Sequence, residues 1–428
     1  MQNNPLNENN ENEAEFLENE QNPQSEENLD MEEVKSIKTP KSQKGFILYK
    51  VFMITVILLT FMFCSALVGI RIYIAVKDNY SSKLDQIDKI VRENYVGKID
   101  DEILEDALAN AYMEAIGDKY SFYKNAEGGE KVEDSLTGNT TGIGVTVYND
   151  YNNKALSVFR VDANSPADKA GIKIGDKIIS IDDKTVADEG FENAVKSIQR
   201  EIGKTAEIKL LRDGKEITLK VIYKEFIRQT VYYEVVKDYG YITITAFNEA
   251  TVKQFEQAFE DLLSQKVKGL IFDLRSNGGG TVKSTCQILD ILLGECNLIS
   301  YRYADGSIEV DEKSDAKKCD LPMAVLVNGK TASAAELFAA NLRDVAKAPL
   351  IGNNTYGKGV VQRTYFLSDG SCIRFTIAEF LPAGGVCFDG EGLAPDVEVV
   401  LTEWEAENYY NLGENEPYLK KAIEQLEK

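Results

Sequence analysis

Ser333 and Lys358 are the two side chains whose types and settings could do covalent chemistry. Ser333 stands in Ala332-Ser333-Ala334-Ala335-Glu336, where an apolar run ends and a helical pattern begins. A serine there is ordinarily a helix cap that satisfies free N–H groups. Lys358 stands in Tyr356-Gly357-Lys358-Gly359-Val360-Val361-Gln362. Glycine on both sides removes local bulk, so the amine can be reached. The chain has no histidine. That excludes Ser-His-Asp and Cys-His arrangements, and His-ligated zinc, haem and non-haem iron. A neutral lysine is then the natural base for a serine nucleophile. The cysteine spacings match no metal site, and no cofactor is expected.

A third segment is Asp273-Leu274-Arg275-Ser276-Asn277-Gly278-Gly279-Gly280. Three glycines after a buried strand let backbone N–H groups approach a ligand. Two readings are open. One is a phosphate cradle, although the Lys-Ser/Thr ending is absent. The other is an oxyanion hole.

The elements that must position these segments follow from periodicity. Residues 241–247 and 269–274 read as strands, with a helix over 252–263 between them. Then come a strand over 323–327, a helix over 334–346 and a strand over 350–352. This alternation predicts a mainly parallel, helix-covered sheet, with sites at the carboxyl ends of its strands. Upstream, 82–117 reads as helix capped partway by Asp100, followed by a loose polar stretch to Thr137. Residues 138–225 read as a separate β-rich unit, with a hairpin turning at Asp213-Gly214.

These motifs together resemble the carboxyl-terminal processing proteases, tail-specific serine peptidases of family S41. Ala332-Ser333-Ala334-Ala335-Glu336, Gly357-Lys358-Gly359 with Gln362, and Gly392-Leu393-Ala394-Pro395-Asp396-Val397 carry the resemblance. So do Gly117-Asp118-Lys119-Tyr120-Ser121 and the PDZ-like run Gly142-Ile143-Gly144-Val145 with Ser165-Pro166-Ala167, Gly171 and Gly175-Asp176. Lys119 and Gly278 stand where the family usually or often has proline. The resemblance implies a PDZ domain and a crotonase/Clp-like ββα core. It implies Ser333 as nucleophile, Lys358 as base and Gln362 as its neutral partner, on the same helical face if that segment is helical. The N–H groups of Gly279 (or Gly278) and Ala334 would form an oxyanion hole. Gly142, Ile143, Gly144 and Val145 would bind a substrate's terminal carboxylate. Two rival functions are an inactive PDZ adaptor that only binds tails and a crotonase-type acyltransfer enzyme.

Composition sets the remaining expectations. A chain of 428 residues with 43% hydrophobic content predicts several domains. A net charge of −22 argues against a nucleic-acid partner. Residues 1–34 hold eleven acidic and no basic residues, which predicts disorder. Twenty uncharged residues lie between Lys50 and Arg71, enough for a membrane-spanning helix. Lys35, Lys38, Lys41, Lys44 and Lys50 precede this run, and only Arg71 and Lys77 follow closely. The positive-inside rule then places the N-terminus in the cytoplasm and the rest outside. The expected organisation is α/β and multidomain: a cytoplasmic acidic tail (1–45), a transmembrane anchor (46–76), a helical region (77–137), a PDZ domain (138–225), a peptidase core (226–402) and a C-terminal helical segment (403–428). Expected partners are a protein or peptide with a free C-terminus and the lipid bilayer, with a homo-oligomer left open.

Overall fold

The computed structural model describes residues 43–79, 83–198, 201–402, 405 and 413–428. The acidic segment 1–34, expected to be disordered, lies outside them. Contacts divide the chain into two units, Met1–Lys98 and Ile99–Lys428.

The first unit contains the helices Gln43–Asn79 and Lys83–Asn94. Within the first helix, Leu48–Arg71 is a 24-residue apolar stretch with no buried residue. At 1.5 Å per residue it is about 36 Å long, more than the ~30 Å of a bilayer's hydrocarbon. The hydroxyls of Thr55, Thr60 and Ser65 are satisfied within the helix. Thr55 donates to Val51 O at 2.8 Å, Thr60 to Val56 O at 3.0 Å and Ser65 to Met62 O at 2.9 Å. Polar groups so paired are tolerated in lipid.

The second unit starts with the helix Asp101–Ala115, capped by Asp100, whose carboxylate accepts from Ile103 N. The stretch expected to be loose is instead ordered. It holds the strand Phe122–Lys124 and the helix Ala126–Thr137, capped by Asn125 and closed by Gly138 at φ 90°. The Gly128-Gly129 pair hides this helix in the sequence. A Cβ on Gly129 would lie 2.1 Å from Gly370 O, so the glycine serves close packing and does not mark a loop.

The β-rich unit is as expected. Its strands Val145–Asp150, Ala155–Val161, Lys177–Ile181, Thr205–Arg212 and Lys215–Ile222 form an antiparallel sheet, with Val145–Asp150 at one edge. The helix Phe191–Ser197 covers the sheet. Residues 199–200, just beyond it, lie outside the described ones.

The core sheet runs Val231–Val236, Tyr239–Ile244, Leu270–Asp273, Met323–Val327, Leu350–Gly352, Val397–Glu398. All neighbouring pairs are parallel except the first. Leu270–Asp273 and Met323–Val327 are buried on both faces, as parallel strands under helices must be. The helix Ala334–Ala346 packs on this sheet through Leu337, Phe338 and Leu342. Phe338 meets Phe247 and Phe272 at ring separations of 5.5 and 5.4 Å. A second sheet, which sequence periodicity did not reveal, joins Phe122–Lys124, Cys372–Pro382, Cys296–Arg302 and Ile308–Ser314, with Val360–Phe366 also paired to Cys372–Pro382.

A buried ion triad holds the C-terminal helix Pro417–Leu426 to the core. Arg275 bridges Asp273 at 2.6 Å and Glu416 at 2.8 Å, and lies 4.6 Å over the Tyr418 ring. Burial alone would raise the Asp273 carboxyl, but the Arg275 guanidinium outweighs it and holds it below the usual range. The six cysteines are free thiols.

Candidate active site

Two loops at the carboxyl ends of neighbouring parallel strands build the site. One is 274–281, after Leu270–Asp273, and the other is 328–333, after Met323–Val327. Side chains and backbone sew them together. Thr331 donates its hydroxyl to Leu274 O at 2.8 Å, Ser276 N donates to Asn328 Oδ1 at 2.9 Å, and Ala332 N donates to Asn277 O at 2.9 Å. Asn277 is fully buried, and its amide donates to Ile244 O at 2.8 Å.

Ser333 sits where the second loop turns into the helix Ala334–Ala346, at φ 59° and ψ −122°. A non-glycine residue in this region costs of order 1–3 kcal/mol and persists only where its surroundings enforce it. The enforcing group is Glu336, three residues on and fully buried. Its Oε2 accepts from Ser333 N and from Lys358 N, each at 2.8 Å. Its Oε1 accepts from Gly357 N at 2.7 Å and from the Thr355 hydroxyl. One carboxylate therefore holds both the turn of Ser333 and the backbone of Lys358. Sequence reasoning included Glu336 in a motif but gave it no role. Its place three residues after a helix-start serine was the available signal, since a capping-box glutamate binds back to the cap's N–H.

The glycines flanking Lys358 have a different purpose from the one expected. A Cβ on Gly357 would lie 2.8 Å from Gly392 N, and one on Gly359 would lie 2.6 Å from Asp389 N. They admit the backbone of 389–392, and do not simply clear space for the amine. Gly359 N also donates to Asp389 Oδ1 at 2.9 Å.

Ser333, Lys358, Gln362, Gly278 and Gly279 share the wall of one cavity of about 600 Å3. Ser135 and Leu136, from the helix that sequence reading missed, complete it with Tyr301 and Arg374. The Lys358 amine is half-buried and lies 4.5 Å from the centroid of the Tyr120 ring. Burial first, then the charge of Arg374, pushes its pKa below the ordinary lysine value; Asp118 and Asp389 oppose this only in part. Among the described residues no hydrogen bond joins it to Ser333. Such bonds are often long or absent before substrate is present.

Gln362 lies on the strand Val360–Phe366, not on a helix. The register shifts between Val361 and Gln362, so the expected helical i, i+4 relation to Lys358 does not exist. The oxyanion assignment also needs adjustment. Gly279 N donates to Asn277 Oδ1 at 2.8 Å, so that N–H is already engaged. No hydrogen bond is recorded for Gly278 N or Ala334 N among the described residues. Gly279 instead lets the two loops touch, since a Cβ there would lie 2.9 Å from Ala334 N and from Ser333 Cβ. Asp344 pairs with Arg343 at 3.2 Å.

Gly142, Ile143, Gly144 and Val145 line a separate cavity of about 610 Å3, with Val195, Ile198, Arg160 and Arg228. Gly142 ends the strand Asn139–Gly142, and Val145 begins the next. Ile143 O accepts from Ala167 N at 2.8 Å, and Gly144 O from Asp162 N at 2.9 Å. Among the described residues the N–H groups of Ile143 and Gly144 have no hydrogen-bond acceptor. Gly144, at φ 76°, admits Ser165, whose Cβ would lie 2.3 Å from a Cβ there.

The clamp makes a direct prediction. Glu336→Gln keeps the shape but places an NH2 where acceptors are needed. At least one buried donor loses its partner, at a cost of about 1–3 kcal/mol. The thermal midpoint should fall, and peptide cleavage should drop at least about tenfold. Wild-type turnover with an unchanged midpoint would show that this carboxylate holds neither loop.

Comparison with known proteins places this arrangement. The model for peptidase family S41 matches residues 238–399, and that for the PDZ domain matches residues 141–222. The carboxy-terminal processing protease CtpA of Bacillus subtilis is 33% identical over 358 residues, covering 81% of this chain and 76% of that protein. A carboxy-terminal-processing protease of Bartonella bacilliformis is 32% identical over 339 residues, covering 76% and 77%. Among solved structures, an S41 protease from Bacteroides fragilis has a TM-score of 0.56 at 18% identity, over 74% of this chain and 90% of that one. That likeness bears on the fold alone. The identity and coverage of the curated relatives show that this chain belongs to the carboxy-terminal processing proteases of peptidase family S41, serine-type peptidases that carry a PDZ domain.

Proposed function

We propose that this protein is a membrane-anchored endopeptidase that takes the C-terminal tail of a protein and cleaves it with a Ser333–Lys358 dyad. Ser333 Oγ attacks the scissile carbonyl carbon while its proton passes to the neutral Lys358 amine. The resulting oxyanion is held by the N–H groups of Ala334 and Gly278. The C–N bond breaks as Lys358 returns the proton to the leaving amine, and water then releases the acyl group by the same route. Gln362 contributes an uncharged oxygen, which orients the amine without holding it protonated. The observation that carries this reading is a lysine pushed toward its neutral form by burial, in the same cavity as a serine on a strained turn.

The PDZ domain supplies the tail. Val145–Asp150 is an edge strand, so a peptide can add beside it. The unengaged N–H groups of Ile143 and Gly144 suit its terminal carboxylate. The helix containing Leu48–Arg71 is proposed to cross the membrane once, with the N-terminus cytoplasmic and the PDZ domain and core outside. The lysines between 35 and 50 support that direction.

Lys358→Arg tests the dyad. A free lysine amine, with a pKa of about 10.4, is neutral in only roughly one molecule in 2500 at pH 7, and arginine effectively never is. The variant should be nearly as inactive as Ser333→Ala, by several orders of magnitude. Because the Lys358 pKa is depressed and its neutral form is the active one, wild-type turnover should rise with pH along a limb below the ordinary lysine range. More than about a tenth of wild-type turnover in Lys358→Arg, a barrier change of only ~1.4 kcal/mol, would remove lysine as the base.

A peptide ending in a carboxamide should bind about tenfold or more weakly than the free acid, since charged hydrogen bonds contribute roughly 1.5–3 kcal/mol. Equal affinity would mean that the 142–145 loop does not select tails by their carboxylate.

The topology predicts that protease added to intact cells, or to spheroplasts, digests residues after the span and spares the acidic tail. A protected core would reverse the orientation.

A further inference from the structure

The side chain of Gln362 is held by two acceptors, and one of them is set by a distant aspartate. Gln362 Nε2 donates to Val360 O at 3.1 Å and to Thr376 Oγ1 at 3.3 Å. Thr376 Oγ1 in turn donates to Asp118 Oδ2 at 2.7 Å. Asp118 also accepts from the Ser121 hydroxyl at 2.6 Å and from Tyr120 N at 3.1 Å. An ionised carboxylate is an acceptor only, and a hydroxyl has one proton to give. Thr376 gives that proton to Asp118, so toward Gln362 it can only accept. Val360 O is likewise an acceptor. A carboxamide facing two acceptors must present its NH2 to them, which leaves Oε1 as the free end. The amine of Lys358, on the wall of the same cavity, has three donors and no acceptor, so a free amide oxygen is a matching partner for it. The same short loop carries Tyr120, whose ring the amine overlies.

We propose that Asp118 and Thr376 are positioning residues: Asp118 fixes the direction of the Thr376 hydroxyl, and that hydroxyl fixes the Gln362 carboxamide with Oε1 available to the Lys358 amine. The proposal rests on the dyad reading above and adds the device that selects one of the two amide orientations. Without it, a rotation of the carboxamide by half a turn would present NH2 to the amine, and two donors would face each other. The loop 117–121 thus acts at the site without touching substrate.

The test uses the full-length protein in detergent with a peptide ending in a free carboxylate. Thr376→Val keeps the β-branched shape on its strand and removes only the hydroxyl. Its kcat should fall about tenfold, the worth of one hydrogen bond, with KM changed less than about twofold. Thr376→Ser, which restores the hydroxyl, should return kcat to within about twofold of wild type. In a Gln362→Ala background, Thr376→Val should have no further effect, because coupled residues are non-additive. Asp118→Asn should reproduce the kcat loss and the same non-additivity, and it serves if Thr376→Val does not fold. Wild-type kcat in Thr376→Val, failure of Thr376→Ser to rescue, or an equal loss with and without Gln362 would each overturn the proposal. The dyad is judged separately by Lys358→Arg. An inactive Lys358→Arg beside a fully active Thr376→Val would sink the relay and leave the dyad standing.

Discussion

A single buried carboxylate carries the geometry of the candidate active site. Glu336 is fully buried and takes three backbone N–H groups and one hydroxyl on its two oxygens. Burying a carboxylate is costly unless its acceptor sites are filled. Filling them from two different loops turns that cost into a constraint, because neither loop can move without orphaning the other's donors. This keeps Ser333 at a backbone conformation that its own residue type disfavours. It also sets the chain that carries Lys358 beside the helix that starts at Ala334. Substitutions far from substrate can therefore act on both residues at once through this one group.

The amine end depends on a different balance. Lys358 is partly desolvated, with Arg374 and Lys119 adding like charge and Asp118 and Asp389 supplying opposite charge. Asp118 could work against a neutral amine, but its acceptor capacity is occupied by Ser121, Thr376 and Tyr120 N. Burial would raise its carboxyl. Those hydrogen bonds outweigh burial and hold it below the usual range. The carboxylate is thus engaged by hydroxyls and backbone, and among the described residues it forms no ion pair with Lys358. Residues near 118, 135 and 374 meet here only because Phe122–Lys124 pairs with Cys372–Pro382 across some two hundred and fifty residues of sequence.

That long-range pairing marks the boundary of what sequence alone reveals. The strand Met323–Val327 and the helix Ala334–Ala346 have the expected limits, because a fully apolar run followed by a cap and a 3.6-residue pattern is a local signal. The parallel sheet and the Asp213-Gly214 hairpin were legible for the same reason. The second sheet was not, since its strands are half-exposed and find partners from distant segments. Gln362 illustrates the ambiguity at the site itself. Spacing of four suits one face of a helix and also one face of a strand, and only the pairing with Cys372–Pro382 decides between them. The glycines at 129, 357 and 359 are similar. Their presence was visible, but the backbone each admits comes from elsewhere in the chain.

The two candidate cavities share one physical device in a strongly acidic chain. A net charge of −22 repels a carboxylate-ended tail at long range. Solvent charges are screened over about 8 Å at physiological salt, so what a bound tail experiences is set locally. At Ile143 and Gly144 that local field comes from backbone N–H groups without an acceptor among the described residues, with Arg160 and Arg228 lining the same cavity. At Gly278 and Ala334 it comes again from N–H groups without an acceptor among the described residues, beside a glycine contact. Fixed backbone dipoles need no counter-ion and do not reorganise as negative charge arrives. On the reading proposed here, one carboxylate is held permanently in the PDZ cavity while an oxyanion forms transiently in the other. Glycine serves both sites because loops can present free N–H groups only where their backbones approach closely without side chains between them.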